Sequence, residues 1–268
     1  MKPKSGFTLT AATLLGLSAC ASQHAPENPT IGHAEQQCLA LKDAKIADTE
    51  IKQVQWSTGG IDADKMSSFT GGSAKEQQVK PHCVVEGEIG ARTGADGKPY
   101  GTRFQLRLPE AWNKHFLFQG GGGLNGFVAP AVGNIPVKTS TAAPALMRGY
   151  AVVSMDGGHP TPTPDFGADQ QARLDFAYQS TGKVTQVAKQ LIAQMYQSAP
   201  EHSYFMGCSN GGREAMMPVW WALAPRTTMP SGRRSTTRMN ISGSSCLWGG
   251  RERSPLGSVL AETWKGSS

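Results

Sequence analysis

The sequence predicts an α/β protein built on a mostly parallel sheet, and three observations carry that expectation. Apolar runs of strand length recur through the middle of the chain, each closed by glycine or another turn residue. Between two of them, Lys183 to Gln197 places Val184, Val187, Ala188, Leu191, Ile192 and Met195 at spacings of three and four, one apolar helix face. Strand, helix, strand, helix in that order implies parallel strands joined by crossovers and covered on both sides. With 268 residues, 38% of them hydrophobic, the chain is long enough for one domain with its own core.

At the start, Lys2 and Lys4 precede an apolar stretch containing Leu9, Leu14, Leu15 and Leu17, which ends in Leu17-Ser18-Ala19-Cys20. A basic start, a short apolar centre and small residues at the end form an export signal over residues 1–20. Because the string closes on cysteine, it also has the form of a bacterial lipoprotein signal, with Cys20 as the lipidated first residue and membrane anchor. The expected location is then the periplasm or the outer membrane. Plain secretion with an incidental cysteine is the alternative. The polar residues 21–36 are expected to form a disordered tether and residues 37–217 the folded core. Export permits disulfides, so Cys38, Cys83, Cys208 and Cys246 are candidates for pairing.

Val84 to Ile89 and Arg103 to Leu108 flank the turn-rich Thr93-Gly94-Ala95-Asp96-Gly97 and predict a hairpin. Phe116 to Phe118 reads as a buried strand running into Gln119-Gly120-Gly121-Gly122-Gly123-Leu124-Asn125-Gly126. Glycines after a core strand leave backbone amides unshielded, able to converge on a negative oxygen; a flexible loop covering nothing is the plainer reading. Ala142 to Arg148 looks helical. Tyr150 to Ser154 reads as a strand ending at Met155-Asp156-Gly157-Gly158-His159. His159 is either a cleft residue or a surface-loop histidine.

The stretch that organises the rest is Y-F-M-G-C-S-N-G-G-R-E-A-M-M, Tyr204 to Met217. It reads as strand, tight turn and helix start, with Ser209 at the apex. Gly207 and Gly211, two positions either side, let strand and helix approach closely. The pattern G-x-S-x-G is that of a nucleophile elbow, which lifts the serine hydroxyl above the sheet and aims the Asn210 amide at the same point. Cys208 lies one residue off the apex and is expected to point away from the cleft.

The run G-C-S-N-G-G-R-E-A-M, with R-T-G-A-D-G-K-P-Y, F-Q-L-R-L-P-E-A-W-N and D-G-G-H upstream, resembles the tannase and feruloyl esterase family of α/β-hydrolases. The likeness extends from about Cys38 to Met217, so it implies the N-terminal portion of that fold, with the lid and C-terminal half missing. It implies an exported carboxylic ester hydrolase acting on aromatic esters of tannin, feruloyl or terephthalate type. Ser209 would be the nucleophile, and the amides of Gly123 and Asn210 the oxyanion hole. It also implies a Cys38–Cys83 disulfide. Cys208 stands where the family has a cysteine paired with one directly after the catalytic histidine. Cys246 follows no histidine, which leaves Cys208 unpaired in the family's sense, although pairing the two is arithmetically open. No cofactor is implied, because the family's calcium site belongs to the lid.

After Met217 the character changes. Residues 218–268 hold four prolines, four tryptophans, seven basic residues and two glutamates, hence five of the chain's six net positive charges. Little periodicity remains, so a disordered basic tail produced by a shifted reading frame is expected. Its sparse aromatics and the export signal argue against a nucleic-acid partner. No histidine and no aspartate follow Ser209, whereas the fold supplies its triad in the order serine, acid, histidine. A catalytically inactive remnant is therefore the alternative to an esterase.

Overall fold

The computed structural model describes residues 31–63, 76–135, 142–223, 237–242 and 246–252. The expected signal, Cys20 and most of the expected tether lie outside them. A first helix, α1 (Ile31–Ala40), already begins within the segment expected to be disordered. Strands β1 (Thr49–Ser57), β2 (Gly60–Ala63), β3 (Glu76–Val79), β4 (His82–Thr93), β5 (Pro99–Pro109), β6 (His115–Gln119) and β7 (Ala151–Met155) follow. Then come the short helix α2 (Gln170–Leu174), a π-turn (Asp175–Gln179), α3 (Ser180–Tyr196), β8 (His202–Cys208) and α4 (Asn210–Leu223). Two late strands, β9 (Thr237–Ser242) and β10 (Cys246–Glu252), complete the described elements.

Eight strands form one sheet in the order β1-β4-β5-β7-β6-β8-β10-β9, and β2 and β3 pair separately. Only β7–β6 and β6–β8 are parallel. The strands outside this trio pair antiparallel, because hairpins such as β4–β5 return directly on themselves. The α/β class holds, and its parallel part is the portion that carries the site. The chain leaves β6 for β7 on one side and later returns through α3 to β8 on the other. That change of direction opens a crevice beyond the carboxyl ends of β6 and β8.

Strand alternation fills both faces. On β6, Phe116 and Phe118 join the main core with Val85, Leu106, Val153 and Phe205, while Leu117 faces a second cluster with Val152, Ala131, Val132 and Leu146. Helix α3 buries Val184, Val187, Ala188, Leu191, Ile192 and Met195, the predicted face, against the first cluster. Each large apolar side chain so placed contributes roughly 1.5–3 kcal/mol relative to exposure. The second face is covered by Ala131, Val132, Ala145 and Leu146. There the helix expected over Ala142 to Arg148 shrinks to a three-residue 3₁₀ turn, Leu146–Arg148, stopped by Gly149 at φ 87°.

Cys38 and Cys83 form the expected disulfide, with Cα atoms 5.5 Å apart, and tie α1 to β4. The tail departs from expectation. Helix α4 continues through Pro218 to Leu223, and β10 pairs along the whole of β8, so parts of residues 218–268 extend the sheet rather than lie disordered. The remainder of the tail lies outside the described residues. Cys208 is disulfide-bonded, which corrects its assignment as an unpaired cysteine; Cys246 stands across from it in the ladder.

Candidate active site

Ser209 sits between the last residue of β8 and the first of α4 at φ 55°, the left-handed region that a residue with a side chain occupies only under constraint. It is exposed, at the crevice. The constraint is a close approach of backbones. A Cβ on Gly207 would lie 2.5 Å from the carbonyl carbon of Gly211, and one on Gly211 would lie 2.6 Å from the carbonyl oxygen of Gly121. A Cβ on Gly120 would in turn meet the Gly211 Cα at 2.9 Å. The glycines of the elbow and of the loop after β6 thus permit one packing, in which loop and elbow touch through their main chains.

The loop's amides divide into two groups. Gly120 N–H donates to the Met206 carbonyl (2.8 Å) and Gly121 N–H to Glu214 Oε2 (2.9 Å). Asn125 N–H donates to the Gly122 carbonyl (3.0 Å) and Gly126 N–H to the Asp156 carbonyl (2.8 Å). The amides of Gly122, Gly123 and Leu124 make no hydrogen bond to a described residue. Gly123 is exposed at φ 55°. Across the crevice, the amide of Asn210 is the first of the orphan N–H groups at the start of α4, where the helix dipole favours negative charge. Free amides on both sides of an exposed hydroxyl are what an oxyanion hole requires.

Behind these groups lies a buried polar network that the sequence did not reveal. Glu214, fully buried, accepts from Gly121 N–H, from Asn125 Nδ2 (2.7 Å) and from Asn210 Nδ2 (3.4 Å). The Asn210 carboxamide also donates to Asn125 Oδ1, and its own oxygen accepts from Arg213 Nε (2.7 Å). Arg213 continues to the Phe176 and Ala177 carbonyls of the π-turn (2.7 and 3.0 Å) and lies over the Phe176 ring. Burial raises the Glu214 pKa, against the pull of its N–H donors and of Arg213. The one sequence signal was the four-residue spacing of Asn210 and Glu214 on a helix, which puts them on one face.

Asp156, at the end of β7, is also buried. It accepts from Arg103 Nε (2.6 Å), Arg103 N–H and Gly158 N–H, while Arg103 Nη2 reaches the Gly126 carbonyl (3.0 Å). Burial outweighs these donors and pushes its pKa up to about 6. His159 is neither a surface-loop histidine nor an open cleft residue. It is fully buried, stacked on Phe166 at 4.0 Å between ring centroids, with Nδ1 2.8 Å from the Thr161 carbonyl. Burial lowers its pKa. Nδ1 therefore carries the proton and donates it to Thr161, and Nε2 has no partner among the described residues. No group of three or more metal-ligating side chains occurs among the described residues.

A serine elbow and a glycine loop thus meet at the carboxyl edge of the α/β sheet. The chain belongs to the tannase and feruloyl esterase family, whose sequence profile matches residues 83–220. It is 44% identical over 154 residues to mono(2-hydroxyethyl) terephthalate hydrolase of Piscinibacter sakaiensis, covering 54% of this chain and 25% of that protein. Feruloyl esterase B of Aspergillus niger is 34% identical over 113 residues, 42% of this chain and 20% of the relative. The crystal structure of feruloyl esterase B from Aspergillus oryzae superposes with a TM-score of 0.53 at 22% identity, over 68% of this chain and 33% of that one. The chain thus spans about a quarter of the length of the curated relatives it matches.

Proposed function

We propose that this chain carries the nucleophile and oxyanion half of a serine carboxylic ester hydrolase acting on aromatic esters of feruloyl or terephthalate type. The observation that carries the reading is Ser209, exposed and strained at φ 55° at the turn from β8 into α4, with α4 packed against a loop whose Gly122, Gly123 and Leu124 amides are unengaged among the described residues. In the proposed reaction the Ser209 oxygen attacks the ester carbonyl and its hydroxyl proton passes to a base. The amides of Gly123 and Asn210 hold the resulting oxyanion. The alcohol then leaves with a proton, and water hydrolyses the acyl-enzyme. The family and the aromatic esterases among its members support the substrate class.

A second reading, an inactive remnant, is favoured by one observation: no histidine or aspartate follows Ser209. Loss of a triad member costs on the order of 10⁴ in rate. Imidazole in solution supplies the missing base and separates the two readings. The first expects slow hydrolysis of methyl ferulate that rises with imidazole and is abolished in Ser209→Ala. Hydrolysis indifferent to Ser209 leaves only the remnant.

Two further proposals concern the ends. Lipidation of Cys20 is supported by Leu17-Ser18-Ala19-Cys20 and by disulfides that suit an oxidising compartment. Palmitate labelling lost in Cys20→Ser tests it, and labelling indifferent to that change contradicts it. A shift of reading frame near codon 217 is supported by the family match ending at residue 220. Resequencing past that codon decides it, since the same frame in independent isolates rejects the shift.

A further inference from the structure

The loop after β6 is tied to the elbow helix by two side chains, Glu214 and Asn210, and Glu214 holds it at two points. We infer that Glu214 is a positioning residue whose buried carboxylate fixes the Gly120–Gly126 loop against α4 and thereby sets where the loop's free amides stand relative to Ser209. The inference rests on the proposed serine chemistry for its consequence, but its structural content is independent of that chemistry.

Every hydrogen bond and ion pair that Glu214 makes among the described residues is with a donor. One oxygen takes the Gly121 N–H, and the other takes the Asn125 and Asn210 carboxamide nitrogens, with Arg213 Nη2 at 4.0 Å. A buried acceptor with several N–H donors and no acceptor nearby is satisfied as a carboxylate; a protonated carboxyl would leave its own O–H without a partner. The partners themselves make the case for positioning. Gly121 lies two residues before Gly123, and Asn125 two residues after it, so Glu214 holds the loop on both sides of the proposed donor. Asn210 is the other proposed donor, and its side chain is tied into the same cluster through Asn125. Glu214 thus binds both halves of the oxyanion hole from behind while remaining fully buried, out of reach of substrate.

Glycine makes such an anchor necessary. Gly120 to Gly123 supply no side chains that could pack the loop in place, and backbone freedom at four successive glycines would let the amides wander. A displacement of about 1 Å at such a site costs on the order of 10²-fold in rate.

The test uses the full chain with Glu214→Ala and Glu214→Gln. Hydrogen exchange read by mass spectrometry should show segment 119–126 exchanging at least tenfold faster in Glu214→Ala, with β4 and β5 unchanged. Glu214→Gln, which keeps an oxygen for Gly121 but sets its amide nitrogen against those of Asn125 and Asn210, should restore part of the protection. Where Ser209-dependent hydrolysis is measurable, Glu214→Ala should lower kcat on the order of 10²-fold at unchanged KM, with the Gln variant recovering part of it. Unchanged exchange at 119–126, equal acceleration in β4 and β5, or a Gln variant no better than Ala overturns the inference. A wild-type chain with no Ser209-dependent hydrolysis defeats the serine-esterase reading instead, and the exchange result still decides the role of Glu214.

Discussion

The three parallel strands β7, β6 and β8 end very differently at their two edges. At the carboxyl edge, Gly120, Asp156 and Ser209 lead into backbone held at unusual angles, and buried acids accept several N–H donors each. At the amino edge, His115 and His202 lie side by side in register, their rings 4.9 Å apart, beside Tyr150 and Tyr204. Nδ1 of each histidine is buried with no hydrogen-bond partner among the described residues. One edge is a network in which positions are dictated by directional bonds; the other is a cluster of rings that meet edge to face. Strain and buried charge are maintained only where surrounding structure fixes them, so the carboxyl edge is where chemistry is to be sought.

That contrast is broken most severely by filling the space between elbow and loop. Gly207→Ala puts a methyl group 2.5 Å from backbone atoms of Gly211 that have no room to yield. A loss of about 3 kcal/mol in urea unfolding is expected.

A smaller effect comes from Asp156. Its folded pKa, raised by burial to about 6, exceeds the unfolded value of about 4, so its contribution to stability is complete below pH 4 and is lost as pH rises through 6. Asp156→Asn should flatten the wild-type decline between those values by roughly 2–3 kcal/mol, as read from unfolding midpoints across that range. Parallel profiles for the two proteins would show that the carboxyl does not titrate there.

The amino edge should respond least. His115 has its pKa lowered by burial and then by the neighbouring His202, so its own contribution to stability is lost as pH falls below about 6.5, where the unfolded histidine takes up its proton. His115→Phe should cost ~0.5 kcal/mol or less at pH 8 and lose less than the wild type on acidification. A loss as large as that of Gly207→Ala would erase the distinction between the two edges.

Much of this architecture was legible from local pattern. The β4–β5 hairpin, the buried face of α3 and the strand-turn-helix around Ser209 each follow from spacings within about a dozen residues. The illegible parts depend on distant partners. Glu214 looks like an ordinary helix-surface residue until Gly121 and Asn125, about ninety positions earlier, are brought against it. His159 follows a glycine pair and resembles a loop residue, yet Phe166 and Phe176 enclose it. Strand β10 has almost no periodicity to announce it; its place comes from pairing with the free edge of β8, which accepts any extended backbone.

The central claim is that Ser209 attacks an ester carbonyl. Incubating the full chain with 4-nitrophenyl ferulate and imidazole, quenching in acid and mapping the peptides by mass spectrometry tests it directly. The account predicts a feruloyl adduct on Ser209 that is absent from Ser209→Ala. An adduct on another residue, or none while nitrophenol is released, would contradict it.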